Sequence, residues 1–199
     1  MDFYQTIADN FQSTIETIAH SVDSIATPLE RASQLMTQAL LDDHKILACG
    51  NGADAAIAQL FCSHMQNRFD QDRPPLPALS LSTDSVNLTA IADSDSFGDI
   101  YARQVSALGL AGDILLCINS GSRAENLQRA MTVARDRNMA VIALSNDNDE
   151  VAAETPATPT VELRLTASRR SKVLELQLMT INCLCELLDR SLFGYHNQD

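Results

Sequence analysis

The chain has 199 residues, 45% of them apolar, which suits one folded domain with its own core rather than a disordered chain. Its formal charge is −12, and binding DNA phosphates takes clustered lysine and arginine side chains, so we expect no direct contact with nucleic acid. The sequence has no apolar run of about twenty residues and no basic segment followed by an apolar one near its start, so we expect no membrane contact, no secretory signal and a cytoplasmic location.

Two helices are predicted in residues 1–42. Apolar residues recur at steps of three and four from Phe3 to Ile25, the spacing of one helix face. Pro28 is expected to open a second helix, because proline is favoured in a first helical turn. A long helix ahead of a sheet packs either on another subunit or on its own core, and the sequence leaves both open. We expect residues 1–42 to serve in oligomerisation.

Residues 43–199 are predicted to form an α/β core in the same domain, so that one domain spans 1–199. Short apolar runs alternate there with helical patterns, which is typical of a parallel sheet covered by helices on both faces. The expected fold is a three-layer, flavodoxin-like arrangement with five strands, preceded by the N-terminal helices. The predicted strands are 46–49, 76–81, 114–118, 139–144 and 161–165, and the predicted helices of the core are 53–69, 123–137 and 169–192.

The cysteines and histidines predict no metal site. The five cysteines are an odd number within apolar runs, which is typical of buried thiols. Cys183 and Cys185 lie two residues apart on a predicted helix and therefore point about 200° away from each other. The four histidines are scattered without the spacing of a zinc motif.

Ligands of such sheets bind beyond the carboxyl ends of the strands, so the loops there are the candidate site. Small residues after the first strand allow close approach of an anion, although Asp54 in the first helical turn would cap free amides and repel phosphate. A tight strand-to-helix turn explains this loop equally well. The loop after the second strand, 82–85, is a helix-capping sequence, and the loop after the third offers hydroxyls, a glycine and an arginine. The candidate ligand-binding residues are Asn51, Gly52, Ala53, Asp93, Ser120, Gly121, Ser122 and Arg123.

Four segments taken together resemble the sugar isomerase (SIS) domain family, in the branch that contains the phosphoheptose isomerases and the replication-initiation factor DiaA. These segments are 49–52, 67–69 with 73–74, 111–116 and 181–188. In the isomerases, a histidine and a glutamate on the helix after the first strand, with a glutamine and a histidine on the last helix, form a metal-linked site. The resemblance aligns these positions with Leu60, His64, Leu174 and Asn182.

Three of the four aligned positions cannot do this chemistry. Leu60 and Leu174 offer no lone pair, and Asn182 does not titrate near neutral pH. His64 titrates, but a lone histidine on an apolar helix is more often packed than catalytic. We therefore assign no catalytic residue, keep His64 as a candidate, and expect no cofactor, with zinc only if the chain is an isomerase after all.

The resemblance to DiaA implies a non-catalytic regulator that binds the initiator DnaA and promotes chromosomal replication. It also implies a homotetramer, or at least a dimer. Leu192 and Phe193 lie where the last helix should stop at Gly194, and they are the candidate partner-binding residues. Two alternatives remain: a phosphoheptose isomerase acting on sedoheptulose 7-phosphate, and a module that binds a sugar phosphate without turning it over.

Overall fold

Five parallel strands form the centre of the fold in the computed structural model, which describes residues 2–121, 124–146, 151, 158–167 and 169–194. The strands are β1 (Ile46–Gly50), β2 (Ala78–Ser80), β3 (Ile114–Ile118), β4 (Ala140–Ser145) and β5 (Thr160–Arg164), and they lie in the order β2-β1-β3-β4-β5. All neighbouring pairs are parallel. Every residue of β1, β3 and β4 is buried, as expected for strands covered on both faces. The predicted five-stranded α/β fold is confirmed.

Helices cover both faces of this sheet. They are α1 (Phe3–Leu41), α2 (Ala53–Gln66), α3 (Ser85–Ser94), α4 (Ala102–Leu108), α5 (Glu125–Asp136) and α6 (Arg170–Phe193), with a short 3-10 helix at Phe97–Asp99. Side chains alternate along each strand. Ile46 and Ala48 therefore point to a core shared with α1, α2 and α6, whereas Leu47 and Cys49 point to a core shared with α3, α4 and α5.

The prediction of a helix break at Pro28 is wrong. One continuous helix runs from Phe3 to Leu41 with Pro28 inside it. A proline in a helix interior costs about 3 kcal/mol because it removes one backbone hydrogen bond. Leu29, Ala32 and Met36 follow it and are buried against the sheet, and this packing outweighs the local penalty.

The second strand is shorter than predicted. It spans Ala78–Ser80 rather than 76–81, since the backbone N–H of Leu76 donates to the carbonyl of Met65 at the end of α2 instead of to the sheet. Asp84 caps α3 by accepting from the N–H of Asn87 at 2.9 Å, as the capping sequence predicted. The short helix α4 was not predicted.

No helix in the described part of the chain combines the length and the apolar character that crossing a bilayer requires.

Candidate functional site

The loop after β1 is shaped by glycines. A Cβ on Gly50 would lie 2.6 Å from the backbone carbon of Asp54, so the first turn of α2 packs directly against the strand end. Gly52 has φ +61° and forms the N-cap of α2, a conformation that favours glycine. The hydroxyl of Tyr101 donates to the Gly50 carbonyl from the opposite face of the sheet. This loop is therefore held tightly on both sides.

Asp54 is the charged group at the centre of the site. Asp54 is only 1% exposed, and its Oδ2 accepts from the backbone N–H of Ser120 at 3.1 Å. The sequence indicated that this carboxylate would cap its own helix, but it reaches the loop after β3 instead. Arg170, at the start of α6, has its Nη2 3.7 Å from Asp54 Oδ2 and donates from Nε to the Ser120 hydroxyl at 3.0 Å.

Gln177 closes the same cluster from α6, where it is fully buried. With its amide oriented to suit its neighbours, Nε2 donates to Asp54 Oδ1 at 3.1 Å and Oε1 accepts from the Ser120 N–H at 3.2 Å. We name Asp54, Ser120, Arg170 and Gln177 the carboxylate cluster. Sequence reasoning missed Arg170 and Gln177. The sequence feature that could have identified Gln177 is the presence of a glutamine on the apolar face of the last helix, between Leu176 and Thr180.

The loop after β3 is fixed by side-chain amides. Asn146 donates from Nδ2 to the carbonyls of Asn119 and Gly121, at 3.2 and 2.8 Å. The N–H of Gly121 in turn donates to Asn119 Oδ1 at 3.1 Å. This loop is therefore set in place without a ligand. Ser122 and Arg123, both predicted to bind ligand, lie outside the described residues.

The other predicted ligand-binding residues fall in different places. Asn51 forms a reciprocal amide pair with Asn126, with distances of 2.9 and 2.8 Å. Gly52 and Ala53 are exposed at the start of α2, beside the carboxylate cluster. Asp93 lies near the end of α3 with its side chain exposed. Their roles in binding stay predictions.

The four positions aligned with the isomerase residues do not form a zinc site. Leu60, Leu174 and Asn182 are half-buried, and the two leucines have no ligand atom. Among the described residues, no group of three or more histidine, cysteine, aspartate or glutamate side chains is arranged to hold a metal ion. The residues present therefore do not fit zinc.

His64 lies in the last turn of α2, half-buried, with its ring edge-on to Phe69 at 5.1 Å between centroids. It is ten residues after Asp54, roughly 15 Å along the helix axis at 1.5 Å per residue. The carboxylate cluster and His64 therefore occupy opposite ends of α2.

A buried ion pair holds the end of α2. Arg73 donates from Nε to Asp189 Oδ1 at 2.7 Å, and its other nitrogens donate to the carbonyls of His64, Met65 and Pro74 at 2.7 to 3.0 Å. Burial raises the pKa of the Asp189 carboxyl, and Arg73 partly opposes that rise. The pair thus joins the carbonyls at the end of α2 to the last turns of α6.

The predicted partner-binding residues lie next to this ion pair. Leu192 and Phe193 are half-buried, and the Phe193 ring lies 5.9 Å from the guanidinium carbon of Arg73. Gly194 ends α6 with φ +71°, as predicted. The role of Leu192 and Phe193 in partner binding stays a prediction.

Comparisons with known proteins place these observations in a family. The profile described as "SIS domain" matches residues 9–146. The phosphoheptose isomerase of Coxiella burnetii is 38% identical over 192 residues, covering 96% of each chain, and that of Halorhodospira halophila is 40% identical over 194 residues, covering 98% of each. The structure of a phosphoheptose isomerase from Francisella tularensis matches with a TM-score of 0.89 at 32% identity, covering 96% of this chain and 100% of that one.

These relatives contradict the prediction of a non-catalytic regulator that binds DnaA. Sequences 38–40% identical over nearly their whole length are named phosphoheptose isomerases, and so is the matching structure from Francisella tularensis. That prediction rested on the side chains at three aligned positions, Leu60, Leu174 and Asn182, and on the resemblance to DiaA. The similarity over the full chain favours the isomerase alternative.

Proposed function

Because this chain belongs to the SIS domain family, in its phosphoheptose isomerase branch, we propose that it is an enzyme that isomerises a phosphorylated sugar. The observation that carries this proposal is the 38–40% identity over 96–98% of the chain to proteins named phosphoheptose isomerase. Sedoheptulose 7-phosphate is the ketose to test first. The proposed product is the corresponding aldose, a heptose 7-phosphate.

The proposed phosphate end of the site is the edge of the sheet where β1 and β3 end. The Ser120 N–H and hydroxyl, the Arg170 guanidinium and the Gln177 amide converge there. Hydrogen bonds from charged donors and backbone N–H groups are the ones that phosphate oxygens accept most strongly. Gly52 at the start of α2 leaves the backbone open to a ligand, since a Cβ there would meet no atom within 4 Å.

Isomerisation moves a proton between adjacent carbons through an enediol, which needs a side chain able to take and return it. Of the four aligned positions, His64 is the one with a side chain that can accept and return a proton. Zinc has no part in this proposal, because the leucines at positions 60 and 174 remove its ligands. The reaction is therefore expected to be indifferent to added zinc and to chelator.

The rise of roughly 15 Å along α2 from Asp54 to His64 exceeds the length of one heptose phosphate, about 10 Å for seven carbons and a phosphate. We therefore propose that a second copy of the chain completes each site, in a homotetramer or at least a dimer. An apolar stripe on α1 supports self-association. Its members are 50–71% exposed: Phe3, Ile7, Phe11, Ile15 and Val22. Exposed apolar stripes of this length mark association surfaces.

The assembly is tested by light scattering on size-separated protein. Phe11→Glu combined with Ile15→Glu is expected to reduce the wild-type oligomer to monomer, because two charges would lie on the stripe that self-association would bury. Val86→Glu is the matched control, since Val86 is 76% exposed on α3 and outside the stripe. A wild-type monomer, or an oligomer unaffected by the double substitution, would refute the assignment of this stripe.

The activity is tested by following conversion of sedoheptulose 7-phosphate by NMR at high protein concentration, with zinc and with chelator. We expect turnover in both conditions, abolished in His64→Ala. Ser63→Ala is the control, because Ser63 is exposed on the adjacent position of α2. Turnover that persists in His64→Ala would remove His64 from the mechanism.

A second candidate is a module that binds a sugar phosphate without turning it over. Leu60 and Leu174 favour it, since neither can transfer a proton or hold a metal. A ligand that prefers the folded state must raise the melting temperature. This candidate therefore predicts stabilisation by sedoheptulose 7-phosphate with no conversion, whereas the enzyme predicts conversion.

A further inference from the structure

The proposed phosphate end already contains a negative charge that belongs to the chain itself. Asp54 is the second residue of α2, and its carboxylate accepts from the backbone N–H of Ser120, 66 residues later in the chain. It is almost fully buried, so solvent does not screen it.

The donors of this site are engaged by that carboxylate. The Ser120 N–H donates to Oδ2, the Gln177 amide donates to Oδ1, and Arg170 lies 3.7 Å from Oδ2. A carboxylate that accepts hydrogen bonds from a backbone amide and a primary amide, with a guanidinium 3.7 Å away, has the surroundings that a bound anion would have. The Asp54 carboxylate thus stands where the oxygens of a phosphate would accept these bonds.

A phosphate cannot share these donors with Asp54 at no cost. Like charges a few ångströms apart in a buried site repel strongly. Each phosphate oxygen that takes the Ser120 N–H or the Gln177 amide must also displace a carboxylate oxygen. The ligand phosphate therefore binds only if it outcompetes the Asp54 carboxylate for these donors or displaces the carboxylate from them.

We propose that Asp54 is a specificity-determining residue that competes with the ligand phosphate for Ser120, Arg170 and Gln177, and so weakens binding of phosphorylated ligands. This inference deepens the proposed function and rests on its phosphate end. It assigns Asp54 no part in proton transfer. Removing the charge frees the donors and leaves Arg170 to face the ligand.

The test measures binding of inorganic phosphate and of sedoheptulose 7-phosphate by calorimetry to the full chain. Asp54→Ser and Asp54→Asn are each expected to bind both ligands at least about tenfold more tightly than wild type, because one buried like charge is gone. Asp136→Ser is the matched control, since Asp136 is exposed at the end of α5 and belongs to no proposed site, and it should bind like wild type. Asp54→Asn keeps the shape and one acceptor oxygen, so it guards against a variant that fails to fold.

NMR of the wild-type protein gives a second measurement that needs no substitution. Titration with inorganic phosphate should perturb the Ser120 amide, and at lower concentration in the Asp54 variants. Unchanged or weaker binding in both folded variants would overturn the inference, while turnover by wild type would leave the proposed function standing. Tighter binding in the variants without turnover in any protein would uphold the inference and remove the isomerase.

Discussion

Replacing Arg73 by alanine is expected to destabilise the protein severely. The Arg73 side chain is fully buried, and its partner Asp189 is 7% exposed, at 2.7 Å. Removing one partner of a buried ion pair costs about 3–5 kcal/mol, because the other charge is left uncompensated. The substitution also leaves the carbonyls of His64 and Met65, at the end of α2, without their donor.

The free energy of unfolding gives the readout, measured by urea denaturation at fixed protein concentration. We expect Arg73→Ala to lose about 4 kcal/mol, within the range for breaking a buried pair. Arg73→Lys should lose less because lysine keeps the positive charge, although it lacks the planar fork of donors of arginine. Arg68→Ala is the control: Arg68 and Asp72 are 57% and 94% exposed and 3.7 Å apart, so its loss should stay below about 0.5 kcal/mol.

A decrease of less than about 1 kcal/mol in the free energy of unfolding of Arg73→Ala would refute the reasoning, because leaving a buried charge without its partner costs more than that. The reasoning also predicts coupling. Arg73→Met combined with Asp189→Leu should be more stable than Arg73→Met with Asp189 left in place, because no charge is then buried without a partner. Equal stabilities would show that the pair is not coupled.

Three further predictions follow from local geometry. Gly50→Ala should lower the free energy of unfolding by at least about 2 kcal/mol, because the added Cβ would overlap the first turn of α2. Gly121→Ala is the control in the same denaturation assay and should be nearly neutral, since its Cβ would lie 3.7 Å from the nearest atom, Asn119 Oδ1. A hydrogen bond from Thr14 is the main cause that lowers the pKa of Glu175. The ionised Glu175 carboxylate therefore stabilises the fold above about pH 5, and this stabilisation is lost as the pH falls. In thermal melts between about pH 6 and pH 3, the melting temperature of Glu175→Gln should fall less than that of wild type. Cys183 is the half-buried cysteine and the other four are buried, so a thiol reagent should modify at most Cys183 in the native protein and all five thiols in denaturant.

The fold was predictable from the sequence because its three central strands, β1, β3 and β4, are buried on both faces. Each of these strands is therefore a short apolar run, and the alternation with helical patterns indicates the parallel order. The errors arose where a distant contact decides the outcome. Pro28 marks a helix start by local preference, but packing of Leu29 and Met36 on the sheet carries the helix through it.

The site was predictable only in part. The sequence indicated the loops after β1 and β3 as the candidate site, because ligands of such folds bind where the strands end. It placed Asp54 in a first helical turn but gave no sign that the carboxylate crosses to Ser120, since the two are 66 positions apart. Arg170 and Gln177 join them from α6, and only the packing of that helix on α2 brings them there.

The central claim is that this chain isomerises a phosphorylated ketose without zinc. Its most direct test is conversion of sedoheptulose 7-phosphate by the purified wild-type protein, run in parallel with zinc, with chelator and with His64→Ala. The account predicts conversion at the same rate with zinc and with chelator, and none in His64→Ala. No conversion in any condition would contradict the claim, and conversion only with zinc would contradict the conclusion that this site does not fit the metal.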